Sequence, residues 1–471
     1  MTKRSLYFTS DSEYSTPVSV LQGRTGPKQR PLMALEHDGF TRLTWQSAPA
    51  AIDTVELILV FVVEPATSGS NRILVYHESK DRIIAECEVI CSDPYQRIAI
   101  AIPQEAFGED GTLTLQLKLA NEGYLWLFAP DASARDGLEW HVPHLIDASG
   151  PADAFMDALA SLASIQTFSW KEGCVLDALQ AYADLGEDSR AAAAIRQHLD
   201  YFGFSSGVLE YETPRSMRVA NELDTIETTL PFAHAARIDP QHPWVDLAMD
   251  FWRQLIAKNG QVQDEEMISS EGAYTVAYPM VLIAQLRNEP KWEAIAENLL
   301  VETFNRLVQK EGIYLRHYTD GRRTHRNWVR GLCWQMLGHV QVLKLQAKPS
   351  EILKQQLTTL AEFAAQYQLE NGMWACFVDE PEVAADTSGS VGVAAAMALA
   401  AKHGFLPEEY LERALRCRET ARTYLTPQGF LGGCSQSNKG GEGLQRSDYR
   451  VTLSYALGLY GQLEVATLGD A

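Results

Sequence analysis

One pattern limits the fold of this chain more than any other. From about residue 155 onward, Ala- and Leu-rich helical stretches recur at a spacing of roughly 50–60 residues. Six stretches carry it: "SWKEGCVLDAL" from 169, "NELDTIETTLPFAHAA" from 221, "SSEGAYTVAYPMVLIA" from 269, "NWVRGLCWQML" from 327, "DTSGSVGVAAAMALA" from 386 and "QRSDYRVTLSYALGL" from 445. The spacing fits one helical hairpin with its loops. Six hairpins can stack as an open array or close into a toroid, an (α/α)6 barrel. In the closed form the starts of six inner helices face one cavity, so unusual residues should collect at those starts.

Before residue 150 the chain has a different character. "VELILVFVVEP", "NRILVYHES", "RIIAECEVICS", "RIAIAIP", "TLTLQLKLA" and "YLWLFAP" are short, rich in β-formers, and bounded by turn residues. Several alternate apolar and polar positions, which predicts an antiparallel β-sandwich. The expected organisation is therefore a β-sandwich accessory domain over 1–150 and an (α/α)6 barrel over 151–471. A chain of 471 residues has ample apolar material for both cores. Its formal charge of −21 argues against nucleic acid and against an anionic membrane as partners. The apolar run at 55–63 is too short to span a bilayer. Seven cysteines without a C-x-x-C pair suit reduced thiols, and the N-terminus has no apolar signal region; both point to a cytoplasmic protein. The sequence leaves a homo-oligomer open.

The chemistry concentrates at the helix starts. Residues 316–330, "RHYTDGRRTHRNWVR", hold five arginines and two histidines against one Asp, a basic island in an acidic chain. Left alone, such a run reads as a solvated loop. Trp328 and Trp334 change that reading, because an aromatic face suits the C–H face of a pyranose. Arg330 between them suits a carboxylate, which a guanidinium grips with two parallel bonds. Together they point to a sugar acid. "NELDTIETTLPF" places Glu222, Asp224 and Glu227 near a helix start, where first-turn acids also serve the helix dipole. Glu271 in "ISSEGAY" is either a capping residue or an acid at the next start. Paired carboxylates facing one cavity supply a proton donor and an activator of water. "CSQSNKGGEG" at 434–443 lacks a phosphate-loop ending and reads as a mobile loop over the barrel mouth. "HVPHL" at 141–145 offers two histidines and no third ligand, so no metal is expected, nor any other cofactor.

These residues resemble a known group. "NWVRGLCW" is similar to the W-x-R-G-x-x-W signature of the unsaturated glucuronyl and unsaturated rhamnogalacturonyl hydrolases, glycoside hydrolase families 88 and 105. "DTSGS" at 386–390 resembles their T-S-G-[ST] segment, "GIYLRHYTDG" the stretch that supplies a site histidine, and "LDTIETTLPFAHA" an Asp-bearing inner helix. The resemblance covers about 165–465 and implies a cofactor-free (α/α)6 glycosidase. Its substrate would be an acidic oligosaccharide ending in a 4,5-unsaturated uronic acid, as polysaccharide lyases leave. It implies Asp224, Glu271 and His317 as catalytic candidates. Trp328, Arg330, Trp334, Ser388, Trp170 and Tyr274 become the substrate contacts. The proton donor is Asp224 or Glu271. Counted by hairpin, Asp224 lies on the second inner helix and Glu271 near the third; matched by Pro-Phe spacing, Asp224 takes the third-helix role. Two other readings stand beside this one: a hydrolase of a saturated uronide such as a β-glucuronide, and an epimerase-like or purely sugar-binding toroid. The β-domain could bind carbohydrate, act as a scaffold, or lend a loop to the site.

Overall fold

The structure is a computed structural model. It describes residues 7–468 except 10, 14–19, 21–22, 47–53, 66–68, 79–81, 109–110, 131–134, 150–152, 187–188, 261 and 265. Two antiparallel sheets come first. One holds β2 (Asp11–Glu13), β4 (Thr41–Trp45), β9 (Leu113–Leu119), β6 (Ser70–His77) and β7 (Arg82–Ile90), in that spatial order. The other runs β1 (Tyr7–Phe8), β11 (His144–Asp147), β5 (Val55–Val63), β8 (Gln96–Ile102), with β10 (Tyr124–Phe128) bridging β5 and β3 (Leu32–Glu36). The six strands expected from the β-rich runs are all present, as β5 to β10. Leu57, Leu59 and Phe61 of β5 meet Leu113, Leu115 and Leu117 of β9 in the core between the sheets.

The run "VELILVFVV" is apolar except for Glu56 because β5 is covered on both faces. Its second face carries Ile58 and Val60, which pair in register with His144 and Arg97. Arg97 reaches into the helical part, donating to the Ala163 carbonyl at 3.0 Å and stacking 4.0 Å from the Phe430 ring. His144 meets Gln428 at 2.7 Å. The same sheet continues beyond β8 with two strands from the far end of the chain, Arg450–Leu453 and then Cys434–Ser435. The sandwich and the barrel therefore share a sheet across the 150/151 boundary.

Six inner helices form the barrel: α2 (Trp170–Asp184), α4 (Phe232–Ile238), α6 (Tyr278–Arg287), α8 (Val329–Leu345), α10 (Thr387–Lys402) and α13 (Ser454–Ala466). Each packs on the next, and α13 packs on α2, so the ring is closed. The outer helices are α3 (Ser189–Tyr201), α5 (Pro243–Asn259), α7 (Lys291–Leu307), α9 (Glu351–Gln366) and α11 (Glu409–Arg422). Beside α13 the short α1 (Phe155–Leu159) packs, with Phe155 edge-on to Tyr460. A further short helix, α12 (Gly441–Arg446), lies at the mouth. Burial follows position. Inner α10 is buried nearly all round, whereas outer α11 buries only Tyr410, Ala414, Cys417 and Ala421, one stripe at helical spacing. Glycine lets the inner helices touch backbone to backbone. A Cβ at Gly338 of α8 would stand 2.2 Å from the Ala273 carbonyl oxygen, and one at Gly458 of α13 would stand 2.4 Å from that of Cys174.

Two local expectations change. Residues 222–229 do not begin a helix. Thr225 instead caps a single tight turn, Ile226–Thr228, and α4 starts only at Phe232. The glycine-rich 434–443 loop is anchored, with Gln436 donating to the Ile90 carbonyl at 3.0 Å and Lys439 bonded to Glu64 at 2.5 Å. No helix among the described residues is long and apolar enough to cross a membrane.

Candidate active site

A cleft opens at the starts of the inner helices. Trp170, Lys171, Glu227, Glu271, Trp328, Arg330 and Trp334 line it, with Asp93 from the sandwich and Ser437–Lys439 from the 434–443 loop. Its chemistry divides into three parts.

The first is acidic. The turn capped by Thr225 aims Glu227 at the indole of Trp170, whose Nε1 donates to Glu227 Oε2 at 3.1 Å. Glu271 sits at the third inner start, just before a π turn over Ala273–Ala277. A π turn holds one residue more than an α turn, and such turns gather at functional sites. The short strand Arg316–Tyr318 pairs with Met267–Ser269, beside Glu271. Its Arg316 places Nη2 3.3 Å from Glu271 and 3.9 Å from Glu227. Burial raises the Glu227 carboxyl well above the ordinary carboxylate range, and the charge of Glu271 adds to it; Arg316 and Lys171 oppose them. Asp264, nearby, is pushed up to about 6 by burial and by Glu271. Glu271 is the chief cause holding Arg316 charged.

The second part is the aromatic wall. Trp334 lies parallel to Tyr274, ring centroids 6.0 Å apart, and 5.0 Å from Trp170. The Arg330 guanidinium covers the Trp328 ring at 4.3 Å. Arg330 is 1% exposed, and both of its terminal nitrogens bond to the protein. They reach Tyr455, the Gln436 carbonyl and Ser435 Oγ, the last at 3.0 Å, while Nε stands 3.4 Å from Asp386. Asp386 in turn caps α10 through the Ser388 N–H at 3.1 Å. Although burial alone would depress it, Tyr455 and Asp386 keep Arg330 firmly protonated. Arg330 thus ties the starts of α8 and α10 to the 434–443 loop.

The third part is a lysine pair. Lys171 Nζ lies 3.2 Å from Asp93 Oδ2, and Lys439 Nζ lies 3.3 Å from Asp93 Oδ1.

The candidates from the sequence divide accordingly. Glu271, Trp170, Trp328, Arg330 and Trp334 come together at the cleft. Asp224 does not: its side chain is exposed, outside the cleft lining, and its backbone N–H donates to the Tyr211 hydroxyl at 3.2 Å. His317 does not either. Side chains alternate along a strand, so with Arg316 turned to the acids, His317 turns away. Its pKa is lowered by burial and by Arg323 and Arg306. Tyr274 lies behind Trp334, bonded to Asp177, and Ser388 is buried against Asp386 and Tyr455. Sequence reasoning noticed Glu227 but did not choose it, and missed Asp264, Lys171, Asp93 and Lys439. A Thr-x-Glu turn motif was the one signal available for Glu227; the lysines and Asp93 carried none.

The model of Glycosyl Hydrolase Family 88 matches residues 152–462. No curated protein matches the chain by sequence. Solved structures share its fold. A glycoside hydrolase of family 105 from C. acetobutylicum is 16% identical, with a TM-score of 0.56, covering 67% of this chain and 99% of that one. A possible family 105 member from Salmonella enterica is 18% identical, with a TM-score of 0.55, covering 64% and 84%. An unsaturated glucuronyl hydrolase specific for heparin is 16% identical, with a TM-score of 0.51, covering 63% and 85%. At these identities the likeness establishes the (α/α)6 barrel fold. The family match covers well over half of the sequence and leaves the sandwich outside it: the chain belongs to glycosyl hydrolase family 88.

Proposed function

We propose that this glycoside hydrolase removes a terminal 4,5-unsaturated uronic acid from lyase-generated oligosaccharides by hydrating the vinyl ether. One observation carries the reading. Two carboxyl groups share Arg316 in a tryptophan-walled cleft, and the environment favours the protonated form of one of them at neutral pH. Hydration of a vinyl ether needs a proton at C4 and water at C5. Glu227 gives its proton to C4, and the developing oxocarbenium charge lies near Glu271. Glu271, held by Arg316, takes a proton from water as the oxygen bonds to C5. The resulting hemiketal opens and releases the next sugar with its hydroxyl restored. Trp170 and Trp334 offer apolar surface to the ring, and the Trp170 indole orients Glu227. Every step is a proton transfer or the attack of water.

Incubation with mixed lyase products tests this. Sugar release accompanied by loss of the conjugated-alkene absorbance supports hydration. Release with the absorbance intact assigns the saturated-uronide reading instead. No release from any lyase product refutes the proposal.

A further inference from the structure

A uronate brings its own carboxylate, and the cleft must hold it somewhere. Arg330 is occupied by Asp386, Tyr455, Ser435 and the Gln436 carbonyl. Arg316 stands between Glu271 and Glu227. Lys171 and Lys439 also line the cleft, at its sandwich end, where Asp93 and, for Lys439, Glu64 share them.

We propose that Lys171 and Lys439 form a subsite for the substrate's carboxylate, with Asp93 of the sandwich setting the spacing of the two ammonium groups. The ligand class rests on the uronate reading above. Each ammonium carries three donors, and Asp93 presents one oxygen to each, at 3.2 and 3.3 Å. Asp93 is 1% exposed and Lys171 5%, so the wall behind the subsite is fixed. Burial lowers the pKa of Lys171 and Lys439 adds to the lowering, while Asp93 opposes both. For Asp93 itself, Lys171 and Lys439 outweigh burial and hold the carboxyl below its ordinary range.

Charge also selects this end of the cleft. An anion approaching the other end meets Glu227, Glu271 and Asp264 around a single arginine. At the lysine end it meets two ammonium groups against Asp93 and Glu64. A uronate ring would therefore turn its carboxylate toward the sandwich and its reacting carbons toward Glu227. Asp93 follows β7 and lies outside the 152–462 family match, so the sandwich would complete the specificity of the barrel.

The test uses full-length protein and two probes, methyl β-glucuronide as the free acid and as its methyl ester. Affinities are read by ligand-observed NMR. The wild type should prefer the acid by about tenfold or more, the usual scale for a charge-assisted bond. Lys171→Met and Lys439→Met should weaken the acid alone and erase the preference, and Lys171→Arg should keep it. Should Lys171→Met fail to fold, Lys439→Met at the partly exposed lysine decides. A wild type without acid preference, or variants that lose both probes equally, overturns the subsite. Acid preference in a protein inert toward lyase products would keep the subsite and discard the proposed reaction. Turnover of lyase products without acid preference would do the reverse.

Discussion

Two arginines, Arg316 and Arg330, stand at the mouth of the barrel in opposite situations. Arg330 is sealed from water and meets one carboxylate, Asp386, plus neutral acceptors for its terminal nitrogens. The charges balance one to one, and the cluster joins two helix starts to a loop. Arg316 is partly exposed and stands among three acids, Glu227, Glu271 and Asp264. That cluster has more acid than base, so it relieves its repulsion by holding protons. The comparison teaches where chemistry lives: a balanced dry ion pair is architecture, and an unbalanced one at a cleft can give and take a proton.

Breaking the unbalanced cluster should have the largest effect. Glu227→Gln and Glu271→Gln should each lower kcat/KM on a lyase product by about 10²–10⁴-fold, the usual contribution of a general acid or base. Circular dichroism should show both folded. Near-normal turnover in either variant would move the reaction elsewhere.

Breaking the balanced cluster should act on stability instead. Arg330→Ala leaves Asp386 buried without its cation, a change that typically costs about 3–5 kcal/mol. Urea denaturation should register that loss. Arg316→Ala, which also removes repulsion-relieving charge but at a wetter site, should cost clearly less and reduce turnover more. The opposite ranking of the two arginines would invert the comparison.

Proton dependence sharpens it further. Glu227 has a folded pKa raised above its unfolded value, so its contribution to stability is full below about pH 4.3 and is lost as pH rises through the folded pKa. Glu227→Gln should therefore raise Tm at pH 8 and leave it nearly unchanged at pH 4. The wild type should lose activity on the alkaline side as the donor deprotonates. A Tm gain at pH 4 equal to that at pH 8 would mean that Glu227 is not held protonated by its site.

The smallest effects are expected at side chains that do not line the cleft. Asp224→Asn and His317→Ala should change stability by within about 0.5 kcal/mol and leave kcat nearly intact, since neither side chain lines the cleft. A large loss of turnover in Asp224→Asn would restore the donor that its motif suggested.

Much of the architecture was legible from local pattern alone. Short β-rich runs bounded by turn residues marked β5 to β10, and the recurrence of small-residue helices gave the six inner helices, because both depend on residues near in sequence. The W-x-R-G-x-x-W stretch correctly drew attention to the mouth, yet its Arg330 is engaged by Asp386 and Tyr455, far along the chain. Whether a guanidinium is free or committed depends on partners that no local window contains. The same reason separates Glu227 from Asp224. Three residues apart, they look equivalent in a helix, and only the capped turn at Thr225 sends one into the cleft and the other to solvent. The lysine end is more remote still. Asp93 and Lys439 meet across 346 positions, because a strand from the end of the barrel adds to the sheet of the sandwich. Sequence by itself determined six strands of the sandwich, the recurrence of inner helices and the family to which they belong, through short patterns and motifs. Tertiary structure alone decided which charges are shared, which are balanced and which remain for a substrate, because electrostatics depends on distance in space and on access to water.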